Sequence, residues 1–278
     1  METVKLNNGV EMPVIGLGTF KANDPDECEQ GVVDALEVGY RMIDTAQSYG
    51  NEEYIGKALK RSGVKRADIF LTTKVWFRNF ENARASVEES MRRLGTDYLD
   101  LVLLHWPFGN TYAAYRDLEK MLKEGSVRAI GVSNFNPDRL IDIIEYNEVV
   151  PAVDQIETNL AAQQLEAHEW LVKYGVQHEG YSPFGRGRMD GIYDNPVLVS
   201  IAEKYNKTPR QITLKYQLQC GVVIIPKSVH KARIIENLDL FDFSLDSGDM
   251  AALKGLDRNA PMTGTPQNPE TVIRSLYW

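Results

Sequence analysis

Residues 101–105 read Leu101-Val102-Leu103-Leu104-His105, a short apolar run that ends in an imidazole. The same arrangement recurs on both sides of this stretch, with segments of helical periodicity between the runs. The other runs end at Asp44, Lys74, Ser133-Asn134, Gln155, Tyr181 and Lys227-Ser228. Strands that alternate with helices and carry functional groups at their carboxyl ends are typical of a (β/α)8 TIM barrel, whose active site lies at that end. The sequence therefore predicts an α/β fold of this class.

The segments around these runs predict the remaining elements. An Asn-Gly turn within residues 4–12 indicates an N-terminal β-hairpin under the barrel floor, and residues 14–18 form the first barrel strand. Helices are predicted at residues 26–38, 51–61, 80–94, 112–123, 137–146, 163–174, 196–205, 209–219, 232–240 and 247–256. Residues 257–278 lack such a pattern, and we expect an irregular C-terminal tail over the barrel mouth. No linker-like stretch interrupts the alternation, so residues 1–278 are expected to form a single domain.

Composition excludes several classes of protein. A net charge of −8 argues against a nucleic-acid partner, because such proteins usually present a basic face. The two cysteines, Cys28 and Cys220, are too few for a disulfide scaffold, and no Cys/His spacing indicates a metal site. The chain shows neither a signal sequence nor an apolar stretch of membrane-spanning length. We expect a soluble, cytoplasmic, monomeric protein that binds no metal, nucleic acid or membrane.

Four residues near strand ends form the strongest chemical pattern: Asp44, Tyr49, Lys74 and His105. A tyrosine hydroxyl, with a pKa of about 10, transfers protons poorly at neutral pH. A neighbouring ammonium favours the phenolate, and a buried carboxylate keeps that ammonium charged. A neutral imidazole beside the hydroxyl can orient a carbonyl oxygen. This set suits carbonyl reduction but supplies no hydride, so a nicotinamide cofactor is expected.

Longer motifs in the same order extend this pattern along the chain. They are Gly16-Leu17-Gly18-Thr19-Phe20, residues 39–46 followed by Tyr49-Gly50-Asn51-Glu52, Leu103-Leu104-His105-Trp106-Pro107, Gly131-Val132-Ser133-Asn134-Phe135, and Ile225-Pro226-Lys227-Ser228 followed by residues 233–237. With these motifs the chain resembles the aldo-keto reductase family over essentially its full length. It is similar to the compact bacterial members that reduce 2,5-diketo-D-gluconate, methylglyoxal and related small carbonyls.

The resemblance implies a role for each matching residue. Tyr49 would be the general acid, Lys74 and Asp44 would adjust its acidity, and His105 would orient the substrate. The implied cofactor is NADP(H), with contacts from Gly18, Thr19, Phe20, Asp44, Ser133, Asn134, Gln155, Tyr181, Ser182, Lys227, Ser228, Arg233, Glu236 and Asn237. Of these, Ser133, Asn134 and Gln155 would bind the nicotinamide carboxamide, Tyr181 would stack on its ring, Lys227, Ser228 and Arg233 would hold the 2′-phosphate, and Glu236 and Asn237 would contact adenine. The small-molecule carbonyl substrate would meet Phe20, Tyr49, Trp76, His105 and Trp106.

The 2′-phosphate assignment also has a physical basis. Lys227 and Arg233 flank a predicted helix start, where backbone N–H groups favour an anion, and a guanidinium binds phosphate through two hydrogen bonds.

The terminal aromatic residues Tyr277 and Trp278 are expected to reach the carbonyl pocket if the tail folds back over the mouth. Alternatives from other classes are a nicotinamide-binding sensor or regulatory protein with little turnover, and a lens-type structural protein.

Three positions depart from the family pattern. Asp154 stands where Asn is common, His178 where an apolar residue is common, and Gly180 where Ala is common. Strand alternation predicts that Asp154 points away from the face of Gln155 and affects only the rim of the site. It also places His178 against the helices, where the ring needs a hydrogen-bond partner. His168 and His230 are expected to be solvated.

Overall fold

Eight parallel strands form the sheet in the part of the chain that the computed structural model describes, residues 1–187, 191–263 and 266–277. They are β3 (Leu17–Gly18), β4 (Met42–Asp44), β5 (Phe70–Val75), β6 (Leu101–Leu104), β7 (Ile130–Ser133), β8 (Val153–Glu157), β9 (Gln177–Tyr181) and β10 (Val223–Ile224). Each strand pairs with the next in chain order. Bridges from Ile15 to Ile224 and from Gly18 to Lys227 join the first strand to the last. The sheet thus closes on itself, and the predicted barrel is confirmed.

A β-hairpin covers the amino-terminal end of the barrel, as predicted. Its strands, β1 (Thr3–Lys5) and β2 (Glu11–Pro13), pair antiparallel around Gly9, whose φ of 87° lies in the region that glycine adopts readily. Leu6 and Met12 are buried in one apolar cluster with Met42 and Leu101 of the barrel strands. The hairpin therefore closes the floor and leaves the opposite end available for a site.

Helices surround the barrel, and all but the last of those in the described residues lie close to their predicted positions. They are α1 (Pro25–Val38), α2 (Glu52–Ser62), α3 (Ala83–Leu94), α4 (Thr111–Glu124), α5 (Pro137–Glu145), α6 (Leu165–Tyr174), α7 (Pro196–Tyr205), α8 (Pro209–Gln219), α9 (Lys231–Leu238), α10 (Ser247–Lys254) and α11 (Pro269–Ser275). The α3 helix begins three residues later than predicted because Phe77–Asn82 form a 3₁₀ helix. Across residues 1–187, 191–263 and 266–277, the helices lack the combination of length and apolarity that crossing a bilayer requires.

The C-terminal segment is more regular than the sequence indicated. The α11 helix starts at a proline and is capped by Asn268, whose side chain accepts from the Glu270 N–H, so the expectation of an irregular tail was wrong here. The segment is tied to the carboxyl end of the barrel, because the backbone N–H groups of Met262 and Thr263 donate to the carboxylate of Glu157.

The far end of this segment does not enter the barrel mouth in the way we expected. Tyr277 is 86% exposed, so the expectation that its ring lines the pocket was wrong. Trp278 lies outside the described residues. The segment reaches the mouth instead at Thr263, which lines the central cavity and whose hydroxyl lies 3.1 Å from the Tyr181 hydroxyl.

Candidate active site

A cavity of about 660 Å³ opens at the carboxyl ends of the barrel strands. Thirteen of the predicted site residues line it. They are Gly18, Phe20, Asp44, Tyr49, Trp76, His105, Trp106, Ser133, Asn134, Gln155, Tyr181, Ser182 and Lys227. These residues come from all parts of the chain between the first and the last barrel strand. The fold therefore assembles most of the predicted site at one place.

A buried ion pair lies at the base of this cavity. The Lys74 ammonium donates to both carboxylate oxygens of Asp44, at 2.6 and 2.8 Å, and to the carbonyl oxygen of Thr45 at 2.9 Å. Burial is the largest single effect and opposes the charge on Lys74, but the attraction and hydrogen bonds of Asp44, together with Tyr49 and Glu179, outweigh it and the pKa of the ammonium is raised. All three protons of the ammonium have acceptors, so Lys74 is a fixed positive charge.

Tyr49 lies directly above this ion pair. It ends the 3₁₀ turn Gln47–Tyr49 that follows β4, and its ring centre is 5.1 Å from the Lys74 nitrogen. The ring also packs against Phe20, at 5.0 Å between centroids. Burial raises the pKa of the Tyr49 phenol, and the nearby Lys74 lowers it to a smaller extent. The sequence indicated only the second effect, whereas the balance of the two keeps the hydroxyl protonated.

His105 faces the same part of the cavity. Burial, and secondarily the charge of Lys74, lowers the pKa of its imidazole well below the usual range, so the ring is neutral. Its centroid lies 5.7 Å from that of Tyr49 and 5.3 Å from that of Trp76. Ser48, which the sequence reasoning missed, lines the cavity with its hydroxyl oxygen 3.4 Å from Nδ1 of His105. Its place beside Tyr49 in the chain was the available signal.

The polar residues on the opposite wall form a connected network. Asn134 has a left-handed φ of 63°, and its amide donates to the His105 carbonyl oxygen at 3.0 Å and to the Ser133 hydroxyl at 3.1 Å. The Tyr181 hydroxyl donates to Oδ1 of Asn134 at 2.7 Å. Ser133, Asn134 and Tyr181 are therefore held in fixed orientations beside the His105 backbone.

Gln155 joins this wall to the ion pair. Its side-chain nitrogen donates to Asp44 at 2.9 Å and to Glu179 at 2.9 Å. Sequence reasoning gave Glu179 no place in the site. The available signal was strand alternation, which places Glu179 on the same face of β9 as Tyr181.

Five predicted cofactor residues lie outside the cavity lining. They are Thr19, Ser228, Arg233, Glu236 and Asn237. The buried Thr19 hydroxyl donates to the Asp44 carbonyl oxygen, and the Ser228 hydroxyl accepts from the His230 N–H. The Glu236 carboxylate accepts from the Thr208 hydroxyl at the start of α8. Arg233 is exposed on the first turn of α9, whereas Asn237 is buried. The structure does not bring these five residues against the cavity itself.

Positive charge is concentrated at the cavity although the chain is acidic. Lys21, Arg186 and Arg210 line it together with Lys227. The Arg186 guanidinium lies 4.9 Å from the centre of the Phe20 ring, and that of Arg210 lies 5.0 Å from the centre of the Phe184 ring. The acid that lines it, Asp44, is neutralised by Lys74. Sequence reasoning missed both arginines because Arg186 lies in a short turn after β9 and Arg210 on the first turn of α8, and neither ends a strand.

His178 stands where an apolar residue is common in the family, and hydrogen bonds on the outer side of the barrel accommodate its polar ring. His178 is buried, with Nε2 at 2.7 Å from the Thr158 hydroxyl and Nδ1 at 3.0 Å from Nδ1 of His168. The prediction that its ring lies against the helices and needs a hydrogen-bond partner is confirmed, and the helix is α6. His168 is partly buried in this contact, so the expectation that it is solvated was wrong.

Asp154 and Gly180 also have specific surroundings. Asp154 is 1% exposed and does not line the cavity, so the expectation that it affects the rim was wrong. Burial raises the pKa of its carboxyl well above the usual range, and the Phe135 backbone N–H opposes this more weakly. A Cβ at Gly180 would lie 3.0 Å from Cβ of Thr158, which leaves little room for the alanine that is common there.

Comparisons with known proteins agree with this arrangement. The model of the Aldo/keto reductase family matches residues 14–258. The glyoxal reductase of Bacillus subtilis (strain 168) is 44% identical over 95% of this chain and 96% of its own. Methylglyoxal reductase DkgA of Salmonella typhimurium is 40% identical over the same shares of the two chains. The Bombyx mori aldo-keto reductase, solved in complex with NADP, superposes with a TM-score of 0.89 at 33% identity over 93% of this chain and 94% of its own. The resemblance drawn from the motifs is confirmed, and the chain belongs to the aldo/keto reductase family.

Proposed function

We propose that the protein reduces aldehyde and ketone groups of small carbonyl substrates to alcohols with NADPH. The observation that carries this proposal is the arrangement of Tyr49. Its protonated hydroxyl lies above the buried Lys74–Asp44 pair and beside the neutral ring of His105, inside an open cavity. Keto-sugars, methylglyoxal and other small aldehydes are the proposed substrates.

The residues of the cavity suit NADP. The side chains of Lys21, Arg186, Arg210 and Lys227 offer an anionic ligand its counter-charges, and the Tyr181 ring offers a flat surface. Ser133, Asn134 and Gln155 supply polar groups for the nicotinamide carboxamide. When bound, the nicotinamide supplies the hydride that no side chain of the cavity can supply.

The 2′-phosphate would be held beyond the cavity. Lys227 lies at its edge, Ser228 follows, and Arg233 is exposed on the first turn of α9, where the helix N-terminus favours an anion. Asn237 and Glu236 lie further along the same helix and would contact adenine. Glu236 already accepts a hydrogen bond from Thr208, so its carboxylate would contact both the Thr208 hydroxyl and the adenine.

Asp44, Tyr49, Lys74 and His105 each have a separate role in the proton transfer. The neutral His105 donates a hydrogen bond that orients the substrate carbonyl oxygen beside the Tyr49 hydroxyl. As a C–H bond forms at the carbonyl carbon, Tyr49 gives its proton to that oxygen and completes the alcohol. The ammonium of Lys74 stabilises the phenolate that remains, and Asp44 keeps this ammonium charged. A proton from solvent then restores the tyrosine.

The substrate end of the cavity favours small molecules. Phe20, Trp76 and Trp106 line it beside Tyr49 and His105, and Trp106 is buried. Aromatic walls of this kind are typical of sites that bind small molecules. The names of the two bacterial relatives, a glyoxal reductase and a methylglyoxal reductase, support dicarbonyl aldehydes of this size.

The test is an assay of NADPH consumption with methylglyoxal, glyoxal, 2,5-diketo-D-gluconate and a simple monoaldehyde, alongside equilibrium binding of NADPH and NADH. We expect turnover of at least one dicarbonyl aldehyde and tighter binding of NADPH than of NADH. Tight NADPH binding without turnover of any substrate would favour a sensor instead. Absence of NADPH binding would contradict the proposal entirely.

A further inference from the structure

Glu179 is a buried carboxyl group that the proposed reaction does not use. It is 0% exposed in the interior of the barrel, at the centre of β9. One of its oxygens accepts a hydrogen bond from Gln155 at 2.9 Å. The other oxygen has no hydrogen-bond partner within the described residues. A polar group in this environment is costly to bury, so its position calls for a specific contact.

The hydrogen bond from Gln155 to Glu179 restricts the orientation of the Gln155 side-chain amide. A glutamine amide carries two N–H donors and one carbonyl acceptor. The nitrogen of Gln155 donates to Asp44 at 2.9 Å and to Glu179 at 2.9 Å, so both donors are directed away from the cavity. Gln155 nevertheless lines the cavity. Its carbonyl oxygen Oε1 is the polar atom left for a ligand.

We propose that Glu179 is a positioning residue that fixes the Gln155 amide, so that Oε1 faces the nicotinamide carboxamide and accepts a hydrogen bond from its NH₂ group. This inference rests on the proposed function. Asp44 engages only one N–H of Gln155. Without Glu179, the second N–H would lack an acceptor in the barrel interior. The orientation of the amide in which this N–H faces the cofactor would then be the more stable one.

The role of Glu179 is that of an acceptor and not of a charge. Burial, with the neighbouring charge of Asp44, raises the pKa of its carboxyl to about 8, so the group is uncharged at neutral pH. Its carbonyl oxygen still accepts from Gln155. A glutamine at position 179 keeps such an oxygen, whereas methionine removes it at similar length.

The probe is a pair of cofactors that differ only in the group that Oε1 would contact. In the 3-acetylpyridine analogue of NADP⁺, a methyl group replaces the carboxamide NH₂ and cannot donate. The ratio of the two dissociation constants therefore reports this hydrogen bond, while changes elsewhere in the site affect both constants alike. For the wild-type protein we expect the analogue to bind about tenfold more weakly than NADP⁺.

Two substitutions of Glu179 give opposite expectations at pH 7. Glu179→Gln should keep the roughly tenfold ratio, whereas Glu179→Met should bring it to about one. Glu52→Met is the matched control, since Glu52 is also a buried carboxyl with one oxygen outside any hydrogen bond of the described residues, but it bonds to Thr73 and not to Gln155. The control should leave the ratio unchanged. A ratio of about one in Glu179→Gln, or of about ten in Glu179→Met, would overturn the proposal.

A second measurement decides the matter if Glu179→Met does not fold. NMR spectra of the free wild-type protein report on the side-chain NH₂ group of Gln155, whose signals are assigned by their absence in Gln155→Glu. The two protons of this group should give two resolved signals that exchange slowly with water. A rapidly exchanging pair would overturn the proposal. Failure of the proposed function is distinguishable, because the wild-type protein would then either bind neither nucleotide or bind NADPH without reducing any carbonyl, and neither result depends on Glu179.

Discussion

The ammonium of Lys74 lies 2.6 and 2.8 Å from the two carboxylate oxygens of Asp44, and both side chains are buried. Breaking such a pair from one side leaves an uncompensated charge in the interior, whereas replacing both members with neutral groups does not. This relationship makes the structural and chemical contributions of the pair separable by experiment.

Lys74→Met should destabilise the protein by roughly 3–5 kcal/mol, because Asp44 is left buried without its counter-charge. The double variant Lys74→Met/Asp44→Asn should regain most of that stability, since the introduced asparagine is uncharged and still offers an oxygen to Gln155. Neither variant should reduce carbonyls at more than a small fraction of the wild-type rate. Chemical denaturation and NADPH consumption measure the two properties. Equal loss of stability in both variants would contradict this account of the pair.

Arg233→Ala should weaken NADPH binding by about one to two decades and NADH binding very little, because only NADPH carries the 2′-phosphate. Lys231→Ala is the matched control on the same turn of α9. The Lys231 ammonium is already engaged by Asp34 at 3.2 Å and Glu37 at 2.7 Å. The control should leave the NADPH-to-NADH preference nearly unchanged. Equal weakening of both nucleotides by Arg233→Ala would remove Arg233 from the 2′-phosphate site.

Glu179→Gln should stabilise the protein progressively as the pH rises. In the folded state burial, with Asp44 nearby, raises the pKa of Glu179 to about 8, while in the unfolded chain it is about 4.3. Between these values the unfolded wild-type chain releases a proton that the folded state keeps, so wild-type stability falls as pH rises. Lys74, paired with Asp44, is the positive charge nearby and only partly offsets this. The variant-minus-wild-type difference in Tm should grow between pH 5 and pH 8, and a constant difference would refute the assignment.

His178→Leu should make the protein less sensitive to acid. Burial, and secondarily His168, lowers the pKa of His178 to about 3, against about 6.5 in the unfolded chain. Between these values the unfolded chain binds a proton that the folded state excludes, so stability is lost as pH falls. The decrease in Tm between pH 7 and pH 4 should be smaller in His178→Leu than in the wild type. His230→Leu, at an exposed position, is the control and should leave this decrease unchanged.

Much of the fold could be predicted because its signals are periodic. Apolar runs and helical periodicity located the barrel strands and most helices within a few residues, and the strand ends located the cavity. The α11 helix escaped prediction because its seven residues are too few for a clear period, and its evidence lies in the Asn268 cap and the following proline. The tail was placed at the correct end of the barrel, but the ring of Tyr277 proved exposed.

The site could be predicted where its chemistry lies at or near a strand end. Asp44, Lys74 and His105 have this position, and they meet as the parallel strands require. Arg186 lies in a short turn after β9 and Arg210 on the first turn of α8, and neither position is a strand end, so residue spacing gives no sign of their approach to the cavity. The contact between His168 and His178 joins a helix to a strand, and residue spacing gives no sign of such a partner. The net pKa of Tyr49 likewise depends on burial, which the sequence does not report directly.

The most direct test of the account is the rate of methylglyoxal reduction by Tyr49→Phe at saturating NADPH, measured together with the dissociation constant for NADPH. The substitution removes only the hydroxyl proposed as proton donor and keeps the ring that packs on Phe20 and His105. We predict that kcat falls by about 10²- to 10⁴-fold while the dissociation constant stays nearly unchanged. A variant that retains more than about a tenth of the wild-type kcat would contradict the role of Tyr49 as the general acid.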